Sequence, residues 1–174
     1  ANFFAQVLSH YPNHFQAMQY CGVCLNELQL FNEAIGLFNR VLASNPDLSE
    51  VYFHKANSFY KLKKIDSAID HYKQAINLNS EFYEAHHNCG LMYFNLNQFE
   101  EALLCFNQAL QINPHLSVVY SDRGLTFKEL SRYEEALEDY KRAVDLNPSF
   151  AAAFYNRGIV LQKLNPVLQA TSFK

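Results

Sequence analysis

The chain has 174 residues, 49% hydrophobic and 18% charged, which is enough apolar side chain for a buried core and excludes a disordered composition. Its formal net charge of -3, from 14 basic and 17 acidic residues spread along the sequence, excludes the basic face of a nucleic-acid binder. No apolar run approaches the roughly 20 residues of a membrane helix, and the opening ANFFAQVLSHYP has neither the charged start nor the cleavage site of a signal peptide. A cytoplasmic chain with no nucleic-acid and no membrane partner is therefore expected.

Residues 1–14 read as the second helix of a partial repeat, because Phe4, Val7 and Pro12 match phases that recur downstream. Four full units follow at a period of 34 residues, 15–48, 49–82, 83–116 and 117–150, and 151–174 opens a further, partial unit. Each unit holds two apolar patterns of helical period joined by a short polar step, which predicts a helical hairpin. A strict period of this length predicts a stacked all-α solenoid rather than a closed globule.

The first helix of each unit carries Gly22, Ala56, Gly90, Gly124 and Gly158 at one phase. Glycine inside a helix costs about 1 kcal/mol relative to alanine, so its recurrence predicts a close approach of the two helices of a hairpin. The second helix supplies Ala34, Ala68, Ala102 and Ala136, and four residues later the rings Phe38, Tyr72, Phe106 and Tyr140. The steps between helices fall at Gln29, Lys63, Asn97 and Ser131, of which Asn97 best tolerates a left-handed backbone. Units end at Asn45-Pro46, Asn113-Pro114 and Asn147-Pro148, whereas Ser80 replaces the proline and predicts a looser junction. After Leu164 the segment NPVLQATSFK reads as a shortened last helix.

Little in this pattern points to chemistry. Cys21-Gly-Val-Cys24 has the spacing of a thiol pair, but its glycine belongs to the repeat and no second pair completes a metal set. The four cysteines, Cys21, Cys24, Cys89 and Cys105, all fall in predicted helices and read as packing thiols of a reducing compartment. His54, His86 and His87 form no ligand set, and no nucleophile triad, phosphate loop or paired carboxylate is present, so catalytic, metal and cofactor sites are not expected. Arg123 and Arg157 stand at an apolar phase, and Asp139 lies near them on the neighbouring helix. An ion pair of Asp139 with Arg157, tying the last two units together, is expected.

Glycine at the eighth place, an aromatic residue or leucine at the eleventh, alanine at the twentieth, Phe or Tyr at the twenty-fourth and proline at the thirty-second resemble the tetratricopeptide repeat, over essentially the whole chain. The resemblance implies a right-handed superhelical solenoid of antiparallel helix pairs, with the first helices lining a concave groove and with a scaffold role toward other proteins. The groove positions so implied are Gln19, Tyr20, Phe53, His54, Asn57, His87, Asn88, Asp122, Tyr155 and Asn156. They are rich in amides and aromatic rings, which suits an extended peptide read through its main chain. The density of near-consensus units also resembles the targeting arm of O-linked N-acetylglucosamine transferases, whose groove asparagines match Asn88 and Asn156 but not Tyr20, His54 or Asp122. A chaperone-type carboxylate clamp is not expected, since its register reads Phe53, Asn57, Asn88, Val118 and Asp122 and lacks every cation. Half-units at both ends would leave apolar helix faces open, which predicts self-association through the repeat ends.

Overall fold

The computed structural model describes residues 6, 7, 10, 11 and 14–164. Its helices, in chain order, are α1 (Phe15–Glu27), α2 (Phe31–Ser44), α3 (Ser49–Lys61), α4 (Ile65–Leu78), α5 (Tyr83–Asn95), α6 (Phe99–Ile112), α7 (Ser117–Glu129), α8 (Tyr133–Leu146) and α9 (Ala151–Leu164). Among the described residues no helix is long and apolar enough to cross a membrane. Phe4, Pro12 and the segment from Asn165 on, on which the end-of-chain expectations rest, lie outside the described residues.

Two compact units divide within α5, one running to Ala85 and the other starting at His86. In the first, α1 packs on α2, α3 on α4, and α2 on α3. Its core centres on Met18, Ala34, Phe38, Val41 and Val51. In the second, α7 packs on α8, α8 on α9 and α6 on α7, around Ala136, Tyr140, Ala143, Ala153 and Val160.

The glycine phase does what its position predicts. A Cβ on Gly22 would stand 2.6 Å from the Phe38 ring, one on Gly90 2.6 Å from Phe106, and one on Gly124 3.0 Å from Tyr140. Each ring therefore occupies the space of the missing side chain, and each is fully buried. At Gly158 nothing lies within 4 Å, and its counterpart by register, Lys174, is outside the described residues.

The turns inside the hairpins hold a result that residue type does not disclose. Gln29, Lys63, Asn97 and Ser131 all have φ between 57° and 62°, so the left-handed conformation is imposed whichever residue stands there. The backbone N–H one residue on then reaches back across the helix end, as from Leu30 to the Leu25 carbonyl at 2.8 Å and from Arg132 to that of Phe127 at 2.8 Å, which closes the first helix. At the unit ends, Asn79, Asn113 and Asn147 each accept the N–H two residues on with the side-chain oxygen, at 3.0–3.1 Å. The Asn79-Ser80 junction thus makes the same asparagine turn as Asn113-Pro114 and Asn147-Pro148.

Two buried tyrosines at the ring phase differ in one respect. Tyr72 donates its hydroxyl to Asn57 Oδ1 at 2.5 Å, whereas the Tyr140 hydroxyl is buried without a hydrogen-bond partner among the described residues, the register counterpart of Asn57 being Leu125. Burial pushes the Tyr140 phenol well above its ordinary range. Tyr72→Phe, which leaves the Asn57 amide short of a donor, is expected to cost about 1–2 kcal/mol. Tyr140→Phe should be neutral or stabilising by up to about 1 kcal/mol. Urea denaturation of the two single variants checks this, and equal losses would contradict it.

The ion pair at Asp139 differs from the expectation. Its carboxylate binds Arg123, not Arg157, in a two-pronged contact: Arg123 Nε donates to Oδ2 at 2.7 Å and Nη2 to Oδ1 at 2.6 Å. Arg123 Nη1 donates to Asn107 Oδ1 of α6 at 2.7 Å, and the guanidinium lies over the Tyr120 and Phe127 rings. The contact therefore runs within a hairpin, between positions 16 residues apart in sequence. Arg157 is the counterpart of Arg123 in the next unit, and its own partner by register, Phe173, lies outside the described residues. In the α3/α4 hairpin the same two positions hold Lys55 and His71.

Candidate partner-binding face

The first helices of each unit lie side by side, α1 with α3 in one and α7 with α9 in the other. Their side chains at the second, fifth, sixth and ninth places of the repeat hold every groove position inferred from sequence.

In the first unit, much of this surface is tied down. Phe53 packs its ring against Phe82 (centroids 4.8 Å) and Tyr72 (5.8 Å), and His54 stacks on Phe38 at 6.2 Å. Burial lowers the His54 pKa from 6.5, only partly offset by the charge of Glu50, so this imidazole is neutral at pH 7. Asn57 is held by the Tyr72 hydroxyl, and Gln19 Nε2 donates to Glu50 Oε2 at 3.3 Å, bridging α1 to α3. Asn26 and Ser58, which sequence does not single out, strengthen that bridge: Ser58 Oγ donates to Asn26 Oδ1 at 2.8 Å, and Asn26 Nδ2 to the His54 carbonyl at 3.3 Å. Polar residues late in a helix look like a solvated face, so only the placement of neighbouring helices identifies them. Tyr20 stays exposed.

In the second unit, His87 Nε2 and Asp122 Oδ2 are 2.7 Å apart and link α5 to α7. The His87 ring rests on Phe106, centroids 5.8 Å apart. Asn88 and Asn156 are half-buried, and Tyr155 is 71% exposed on α9. His87, Asp122, Asn156 and Tyr155 thus fall on three successive first helices of one unit, whereas Phe53, His54 and Asn57 serve largely as packing in the other.

Other chemistry finds little support. Burial, then the charge of Cys24, pushes the Cys21 thiol up, the reverse of an activated thiolate. Among the described residues no three His, Cys, Asp or Glu side chains are grouped to hold a metal. An open groove of about 500 Å³ lies between α7 and α8, lined by Tyr120, Arg123, Phe127, Glu138, Asp139 and Arg142, and contains none of the inferred groove positions. Its central guanidinium and carboxylate are already paired with each other.

Comparison with known proteins agrees with this architecture. The TPR repeat family model matches residues 56–97 and 124–165, and the tetratricopeptide repeat model matches 83–116, together more than half of the chain. No curated protein matches the chain. Among solved structures, MamA from Desulfovibrio magneticus RS-1 is similar with a TM-score of 0.77 and 18% identity, over 86% of this chain and 85% of that one. YrrB, described as a TPR protein with an unusual peptide-binding site, gives 0.76 and 21%, over 90% and 81%. The first TPR of Spaghetti (RPAP3), bound to the HSP90 peptide SRMEEVD, gives 0.65 and 30%, over 67% and 92%. The fold they share with this chain is an all-α solenoid of helix pairs, and the chain belongs to the tetratricopeptide repeat family.

Proposed function

We propose that the chain is a non-catalytic protein-interaction scaffold that holds an extended segment of a partner against its first helices. The observation that carries this reading is the His87–Asp122 contact, which brings the fifth and sixth places of successive first helices into one strip bearing Asn88, Asn156 and the exposed ring of Tyr155. Side-chain amides donate to and accept from a peptide main chain at once, and the rings add apolar contact. The peptide-binding site described for YrrB and the peptide bound to the RPAP3 repeat support a peptide ligand. They do not extend to an acidic C-terminus, because the clamp register Phe53, Asn57, Asn88, Val118 and Asp122 offers no cation. The narrower reading as a glycosyltransferase arm rests on Asn88 and Asn156 alone.

The test is titration of peptides from a captured partner into the protein and into an Asn88→Ala, Asn156→Ala variant. Asn57 is left intact because the Tyr72 hydroxyl depends on it. The variant is expected to bind at least about tenfold more weakly, as two main-chain contacts of about 0.5–1.5 kcal/mol each are lost. Unchanged affinity would move the recognition surface elsewhere.

A further inference from the structure

We infer that this face selects a basic segment, with Asp122 as the seat of a lysine or arginine side chain of the partner. The inference rests on the peptide-binding reading above and adds the chemistry of the ligand. None of the 14 lysines and arginines falls at the second, fifth, sixth or ninth place of a first helix, whereas Glu50, Glu84 and Asp122 do. The third repeat, 83–116, contains no lysine or arginine at all. The basic residues of the first helices stand at the seam (Lys55, Arg123, Arg157) or in the last turn (Lys61, Lys128, Lys163), so the rows that hold the candidate face are acidic wherever they are charged.

Geometry makes Asp122 the anchor. Its side chain is 27% exposed, His87 takes Oδ2, and Oδ1 has no hydrogen-bond partner among the described residues. A carboxylate held on one oxygen and open on the other accepts a guanidinium or ammonium without reorganising. The backing of His87 by Phe106 fixes the orientation. On the next first helix, the exposed Tyr155 ring adds an aromatic surface for the same segment. An acidic segment would meet this carboxylate with no compensating cation in these rows.

The experiment uses the purified chain and three fluorescein-labelled peptide pools of about nine residues, long enough when extended to cross three adjacent helices. The pools share a degenerate background of Ala, Ser, Leu, Asn and Tyr and differ in a central Arg, Gln or Glu. By fluorescence anisotropy, the Arg pool is expected to bind roughly tenfold more tightly than the Gln pool, and the Glu pool more weakly than either. Asp122→Asn should reduce the Arg pool to the level of the Gln pool. Raising NaCl from about 0.05 M to about 0.5 M should remove the Arg advantage only. Equal binding of the Arg and Gln pools, or a preference that survives Asp122→Asn, overturns the basic-ligand inference and leaves the peptide-binding reading standing. Failure of all three pools to bind overturns both.

Discussion

Asp139→Ala is expected to destabilise the chain by about 3–5 kcal/mol, because it strands a largely buried guanidinium. Burial opposes the charge of Arg123, but the hydrogen bonds and charge of Asp139 outweigh it and hold the guanidinium above its ordinary range. On the other side, burial raises the Asp139 carboxyl despite the neighbouring cation. Each partner is thus tolerable in this seam because of the other, and the single deletions should be costly for that reason. The pair itself need not be worth much. In the α1/α2 hairpin the same two positions hold Cys21 and Leu37. Arg123→Cys combined with Asp139→Leu should therefore lie within about 1 kcal/mol of the parent, far from the sum of the single losses. Urea denaturation of the two singles and the double measures this coupling. Additive losses would mean that the contact is an exposed pair of little consequence.

The second large effect is expected at Phe106→Ala, a loss of about 3–5 kcal/mol. The ring is completely buried, and its edge fills the place where Gly90 would carry a Cβ. Glycine opposite has no side chain that could move into the cavity, so the value should fall toward the upper end. Adding Gly90→Ala to the variant should recover part of the loss, since Ala56 occupies the same phase opposite Tyr72 in the α3/α4 hairpin. Thermal melts of the single and double variants check both statements. If the second substitution lowers stability further, the ring is not what fills the glycine's space.

The hairpin core was legible in the sequence because it is written in a period. The glycine, alanine and ring phases recur every 34 residues, and each meets its partner within one hairpin at a fixed separation. The ion pair was not, since Arg123 and Arg157 occupy the same phase and periodicity alone cannot choose between them. The choice depends on whether the seam runs inside a hairpin or across to the next one. The candidate face was legible as a set of rows, but not in its internal bonds. Gln19 with Glu50 and His87 with Asp122 join neighbouring repeats at different offsets, 31 and 35 residues. Those offsets follow from the rise and rotation between repeats, which spacing does not encode.

The seam also bears on how such a chain avoids confusing its own parts. Repeats that share one ring and glycine pattern are open to mispairing during folding, because a first helix can close against the wrong second helix with its ring and glycine still matched. At the seam positions the hairpins differ, with Cys21 and Leu37, Lys55 and His71, Cys89 and Cys105, Arg123 and Asp139. If α7 closed on α6, Arg123 would face Cys105 in place of Asp139 and bury an uncompensated cation. A pair that adds little net stability to the correct fold thereby raises the energy of its closest impostor, so that the buried charge serves as a label of identity within a repetitive sequence.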